Sequence, residues 1–505
     1  MESAPVVGQR GLLRNMLWLL VGNLVAQVLA AATGLLLARV VGPHEYGLYA
    51  IAFSLAMAFT YTALMGLDSI VPREVARNPG WAGRVTLSAL IPALLWLPVL
   101  VLLILGAGTA MGYSREVRAL LLPAALITGI RGLVGLFRSV LRGLERMELD
   151  AAVQGLETGL ALIAVGLALL LSPSVQKALW AMLSAEALSL ILAGIWVGRL
   201  ARPIGWEAHL ARDMVVAALP LGLTFTLVGL NMRVDTLVLS LFQPAREVGL
   251  YNAAVSLVML SRSVSLMAAA FLPRLSSLAQ RDEAAFARLR DQGLLWMLVP
   301  GIGIGVTMSL LSPFLMALLY GTSFLSAAPI LRVLGVGTIA VFLNAYFWQV
   351  LIARGEQGTI ARTTAASLIL SFALATILVP RWGAFGAAGA VLAREVVQSA
   401  LLSQRVLGQP PLTLRRRFWV PFLGAVGVMV LALWPAREAT GLVALVYLAP
   451  ALVAYLVVLT GSRIIPVKGL RQGARAPFLR EERDFCWQWA TEQSGVASFL
   501  ADDEP

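Results

Sequence analysis

The chain has 505 residues, of which 59% are apolar and only 13% charged, against about 45–50% and 25% in an average soluble domain. Aqueous surface is too scarce for a soluble globular protein, a disordered chain or a nucleic-acid-binding domain, and the natural solvent is a bilayer. The 39 basic residues against 27 acidic give a net charge of +12, and with Lys177 and Lys468 the only lysines, that charge is almost all arginine.

The same counts speak against several enzyme classes. Neither lysine has the Gly-Lys-Ser/Thr setting of a phosphate-binding loop. His44 and His209 are the only histidines and Cys486 the only cysteine, so paired-histidine zinc motifs and CxxC chemistry are absent from the sequence. The expectation is a non-enzyme with no cofactor and no metal.

Apolar runs of about 18 residues or more predict fourteen spans, at roughly 16–38, 46–66, 86–107, 119–141, 151–171, 177–198, 214–241, 249–272, 292–318, 326–352, 361–379, 384–404, 418–434 and 440–460. The predicted fold class is an all-α polytopic membrane protein. The first span follows Arg10 and Arg14 and runs straight into a second, which reads as a retained signal anchor. With the N-terminus inside, about 27 basic residues fall on the inner side and about seven, Arg39 among them, on the outer side, so the positive-inside rule places both ends in the cytoplasm.

Arg131, Arg233, Arg262, Arg332 and Arg394 then lie inside spans. Each costs about 2.5–3.5 kcal/mol at a helix centre facing lipid, so they are expected to face protein or water. Asp68, Glu157, Glu186, Asp235 and Glu395 lie in or at the ends of spans and match them in number, so each arginine reads either as half of a structural ion pair or as a ligand. Asn23 and Gln27 on span one, Asn252 on span eight, and Asn344 and Gln349 on span ten supply neutral donors and acceptors, for sugar hydroxyls or for interhelical hydrogen bonds.

The chain repeats itself at an offset of 202. LLARVVGPHEYGLYAIAFSL, from Leu36 to Leu55, matches LVLSLFQPAREVGLYNAAVSL, ending at Leu257, with Glu45 on Glu247, Gly47-Leu48-Tyr49 on Gly249-Leu250-Tyr251 and Ser54-Leu55 on Ser256-Leu257. Six spans separate the copies, so both cross in the same direction. The reading is two parallel six-helix repeats, an N-lobe at 1–210 and a C-lobe at 211–405, around a central cavity at the repeat interface. Two extra helices occupy 406–460, reached through an Arg-rich linker with Pro410-Pro411, and 461–505 forms a cytoplasmic tail whose Phe485, Trp487 and Trp489 suggest an interfacial segment.

These repeated elements, with Asp235-Thr-Leu-Val-Leu in span seven, LPRLSSL at the end of span eight, LLYGTSF after span nine and PRWGAFGAAGA before span twelve, resemble the polysaccharide transporter family. That family comprises flippases of O-antigen and related polyprenyl-linked oligosaccharides, in the superfamily that also holds multidrug extruders and lipid II flippases. The resemblance extends over residues 8 to 405. It implies fourteen helices, alternating access, and inversion of a polyprenyl-pyrophosphate-linked oligosaccharide across the bacterial inner membrane, with a coupling ion, H+ or Na+, in some members. Polysaccharide polymerase and chain-length proteins are implied as further partners, with no nucleic acid and a monomeric state. A lipid II flippase and a cation-coupled drug antiporter are the alternatives, and a glycan polymerase or ligase a distant one.

Pyrophosphate needs always-charged donors in a fork, which arginine supplies. The candidate substrate contacts are therefore Arg262, Arg131, Arg332, Arg233 and Arg39, with Asn23, Gln27, Asn252 and Asn344 toward the sugars. Arg262 heads them, beside a polar strip of Asn252, Ser256 and Ser263; its alternative role is a pair with a carboxylate such as Asp235. Asp235, Glu157 and Glu186 are the candidate ion-coupling carboxylates, since a carboxyl in low dielectric binds a proton more readily.

Overall fold

The computed structural model describes residues 9–408, 416–441 and 443–461. Among these the secondary structure is helical, with no strand. Pro410-Pro411, Cys486 and the proposed interfacial segment fall outside the described residues.

The chain opens with α1 (Gln9–Ala58), α2 (Leu67–Arg77), α3 (Ala82–Ala110), α4 (Arg115–Gly143), α5 (Met147–Leu171) and α6 (Val175–Leu200). It continues with α7 (Ala208–Asn231), α8 (Val234–Phe242), α9 (Ala245–Ser265), α10 (Leu272–Leu278), α11 (Glu283–Leu310), α12 (Ser312–Tyr320), α13 (Ala328–Ala353) and α14 (Gln357–Leu407). A separate compact unit contains α15 (Arg416–Leu433) and most of α16 (Val443–Gly461).

Among the described residues, twelve helices are long and apolar enough to cross a membrane, where the hydropathy pattern predicts fourteen spans. Spans one and two form the single 50-residue α1, and spans eleven and twelve the 51-residue α14. Fifty helical residues measure about 75 Å, more than twice the roughly 30 Å of a hydrocarbon core. Each is interrupted by one glycine with positive φ, Gly42 at φ 80° and Gly383 at φ 53°, a backbone region that excludes most side chains. Within α14 the two parts fold back on each other, since a Cβ on Gly386 would collide with the carbonyl of Leu378.

Predicted span seven is also not one helix. It breaks at Met232–Arg233, with Arg233 at φ −127° as the N-cap of α8. The break lets two stretches follow different neighbours: α7 packs on α2 and α3, whereas α8 packs on α14. Gly66 and Gly222 make the first contact possible, because a Cβ on Gly66 would lie 2.5 Å from the carbonyl of Ala218 and 2.7 Å from the Gly222 nitrogen. Thr62 and Thr226 add a hydroxyl–hydroxyl bond of 2.8 Å. Predicted span nine likewise divides into α11 and α12, with Pro313 at the start of α12 where its missing N–H costs nothing.

The two copies of the repeated element meet. A Cβ on Gly47 of α1 would collide with the carbonyl of Ala245, and one on Gly249 of α9 would collide with the carbonyl of Pro43. Pro43 and Ala245 are themselves partners at the same offset of 202, so the contact is reciprocal, the pattern a two-fold axis produces. Around it Tyr46, Tyr320 and Phe324 pack with ring centroids 5.3–6.5 Å apart.

Large aliphatic side chains cover the outside, Leu170 and Leu171 being 85% and 89% exposed. Such a surface is stable against acyl chains and not against water.

Candidate functional site

The charged residues of the spans gather in two clusters. The first joins α4, α5 and α6. Arg131, at the middle of α4, donates from Nε to Glu186 Oε1 at 2.7 Å and lies 3.8 Å from Glu157 Oε1. Its guanidinium carbon stands 5.6 Å from the ring centroid of Phe53 on α1, a cation–π distance. Glu186 is fully buried, while Arg131 and Glu157 retain partial exposure. One helical stretch further along α4, Arg138 holds the buried Asp150 at 2.6 Å.

The second cluster joins α8, α9, α13 and α14. Glu395 is its hub: Oε1 accepts from Arg394 Nη2 at 2.8 Å and from Arg262 Nη2 at 3.1 Å, and Oε2 accepts from Asn344 Nδ2 at 2.9 Å. Ser399 Oγ fixes the Asn344 amide at 2.7 Å. Asp235 is buried and accepts from the Tyr251 hydroxyl. Asp235, Tyr251, Arg262, Arg394 and Glu395 together line a cavity of about 30 Å³, room for about one water. A pyrophosphate enters only if the surrounding helices part.

This arrangement corrects several expectations. The carboxylate paired with Arg262 is Glu395, 133 residues away, and not Asp235. The five arginines and five carboxylates do not pair one to one, because Glu395 serves two arginines and Arg131 serves two glutamates. Asp68 lies in the first turn of α2, outside the candidate spans. Asn252 is buried and donates one amide N–H back to Val248 of its own helix.

Arg233 and Arg332 make no ion pair within 4 Å among the described residues, and Arg332 is exposed. Tyr49 of α1 lies within electrostatic reach of both Arg131 and Arg233. Arg39 is exposed and reaches the carbonyl of Leu318 at 3.5 Å, in the last turn of α12, where a cation complements the helix dipole. Asn23 is exposed; Gln27 is half-buried with its Oε1 buried and without a hydrogen-bond partner.

Sequence reasoning missed the role of Glu395 as hub and of Tyr251 as the donor to Asp235. The adjacent opposite charges Arg394-Glu395 inside an apolar run were the available signal. It also missed a pocket of about 300 Å³ beside the break in α1, whose lining of mixed character includes His44, Tyr113, Ser114, Glu116, Ser240 and Gln243, where Tyr113 and Ser240 share a 2.7 Å hydrogen bond.

Solved membrane transporters share this architecture. The lipid II flippase MurJ, in an inward closed conformation, matches with a TM-score of 0.71 at 14% identity, over 88% of this chain and 98% of MurJ. An inward-facing multidrug resistance MATE family transporter of the MOP superfamily matches with a TM-score of 0.63 at 17% identity, over 75% of this chain and 94% of its own. A MATE transporter in complex with MaL6 matches with a TM-score of 0.56 at 17% identity, over 78% and 96%. At these identities the likeness is one of fold. Comparison with curated protein sequences gives no match. The family described as polysaccharide biosynthesis protein matches residues 12–279, more than half of the chain. On that match, the chain belongs to the polysaccharide biosynthesis protein family.

Proposed function

We propose that the chain is a flippase that carries polyprenyl-pyrophosphate-linked oligosaccharide, an O-antigen, capsule or exopolysaccharide repeat unit, from the inner to the outer leaflet of the bacterial cytoplasmic membrane. The observation that carries the reading is the sharing of Glu395 by Arg262 and Arg394. Asp235 lines the same cavity, so two guanidiniums and two carboxylates balance there, and Arg262, the more exposed of the two arginines, is the fork available to a phosphate oxygen. Arg233 and Arg332, which make no ion pair within 4 Å among the described residues, supply positive charge in the same half of the sequence. A cationic drug is poorly served by such a cluster, whereas a pyrophosphate is well served.

On this reading α1 and α14 each cross twice, giving fourteen passes with both ends of the chain in the cytoplasm. The lobes 1–210 and 211–405 rock about the α1–α9 contact, and the chain works as a monomer alongside a polysaccharide polymerase and chain-length proteins. Lipid II is the second substrate to consider, because it presents the same polyprenyl pyrophosphate and MurJ has the same fold.

Deleting the gene in its host is the direct test. Lipid-linked repeat units should accumulate on the inner leaflet and surface polysaccharide should fall. Arrested peptidoglycan synthesis would point to lipid II, and unchanged glycan with new drug sensitivity would point to an antiporter.

A further inference from the structure

Three helix junctions meet around one pocket. Gly42, at φ 80°, breaks α1 just before His44. The turn between α3 and α4 holds Gly112 at φ 69°, and Ser114 caps α4 by accepting from the Val117 nitrogen at 3.3 Å. Between α8 and α9, Gln243 leaves the helix in an extended conformation, φ −128° and ψ 149°, ahead of Pro244. Residues of all three junctions line the pocket of about 300 Å³. That volume is at the lower bound of small-molecule sites, about 300–1,000 Å³, and suits one ring rather than a whole oligosaccharide.

The chemistry of the lining selects the class of ring. Among the described residues no arginine or lysine lines the pocket, and Glu116 is its one carboxylate. A phosphate or pyrophosphate therefore finds no guanidinium fork there and meets a like charge. The side chains of His44, Glu116 and Gln243 make no hydrogen bond or ion pair among the described residues, which leaves an imidazole, a carboxylate and an amide free to bind. Imidazole and amide each donate and accept, and the carboxylate accepts. Neighbouring sugar hydroxyls, each a donor and an acceptor at once, need that mixture. Leu48, Ile51 and Leu241 supply an apolar part of the lining, which suits the C–H face of a sugar ring. A wholly apolar ligand would strand the polar groups, and a bare cation would leave most of the volume empty.

The pocket also lies between the two copies of the repeated element. His44, Leu48 and Ile51 belong to the first copy, and Ser240, Gln243 and Ala245 to the second. The carbonyl of Ala245 is the atom that a Cβ on Gly47 would strike, so the pocket borders the Gly47–Gly249 contact. A ligand bonded to both copies binds better when they touch than when they part, and shifts the population toward the touching state.

We propose that this pocket binds one pyranose ring of a glycan, with His44 from the first copy, Gln243 from the second and Glu116 from α4 as its hydrogen-bonding groups. On the orientation expected from the arginine distribution it opens to the outside. Its occupancy by glycan already exported, which would hold the outer side closed, rests on the flippase reading above; binding of the ring does not.

The test uses the full chain in lipid nanodiscs without lipid-linked substrate, so a failed flipping assay or deletion phenotype leaves its outcome unchanged. Methyl glycosides of glucose, galactose, mannose, rhamnose and N-acetylglucosamine are offered singly at millimolar concentration, and binding is read by saturation-transfer NMR. At least one should give a saturable signal that inorganic pyrophosphate does not displace. Glu116 is exposed and Gln243 half-buried, so Glu116→Ala and Gln243→Ala should fold. Each should weaken binding about tenfold, the worth of one or two hydrogen bonds, while Arg262→Ala leaves it unchanged. No saturable signal from any glycoside, a signal unmoved by either alanine variant of the pocket, or one lost in Arg262→Ala or displaced by pyrophosphate overturns the proposal.

Discussion

Gly47 of α1 and Gly249 of α9 lie backbone against backbone, each occupying the place where the other's neighbourhood leaves no room for a Cβ. The tripeptide Gly-Leu-Tyr that marks the repeat in the sequence is thus the point where its two copies touch. Alanine at either position should lower the unfolding temperature of the purified protein, at an overpacking cost of about 1–3 kcal/mol. Gly34 has open space where its Cβ would go, so Gly34→Ala in the same helix should be neutral or slightly stabilising.

Arg262 and Arg394 hold the same carboxylate but should respond differently to removal. Arg262→Ala leaves Glu395 with Arg394 and Asn344, so expression and thermal stability should stay near wild type while flipping is lost. Arg262→Lys should recover part of the flipping, because an ammonium keeps the charge without the planar fork. Arg394 is buried, and Arg394→Ala should destabilise the fold by about 3–5 kcal/mol, as breaking a buried pair does. Flipping that persists in Arg262→Ala would remove this residue from the substrate path.

The orientation is open to thiol labelling. In a Cys486→Ser background, cysteines at the exposed positions His44 and Ser323 should react with an impermeant reagent from outside the cell. Cysteines at the equally exposed Asn78, Gln280 and Gln357 should react only after permeabilisation. The reverse pattern would invert the topology and the direction of transport.

Most of the helix boundaries were legible because a bilayer imposes one simple condition, a run of apolar residues long enough to span it. Hydropathy has no access to where such a run breaks inside. The interruption at Met232–Arg233 follows from α7 and α8 having different neighbours, which is tertiary information. The pairing of Arg262 with Glu395 was illegible for the same reason, since nothing local links residues 133 apart. Arg290, which lies between predicted spans eight and nine, is fully buried near the start of α11, bound to Asp291 at 2.7 Å and to the carbonyl of Val406 at 3.1 Å, where it ties α11 to the end of α14.

The doubly held Glu395 has a consequence for reversibility. A carboxylate with one cation must be left bare when that cation turns to a guest, and the bare state sets a high barrier both to capture and to release. Glu395 keeps Arg394 and Asn344 if Arg262 turns away, so on the proposed flippase reading an arriving anion would borrow a guanidinium without stranding a charge, and the same guanidinium would have a partner to return to when the anion leaves. On that reading the hub is a counterweight, setting the grip on the guest low enough to be undone on every cycle.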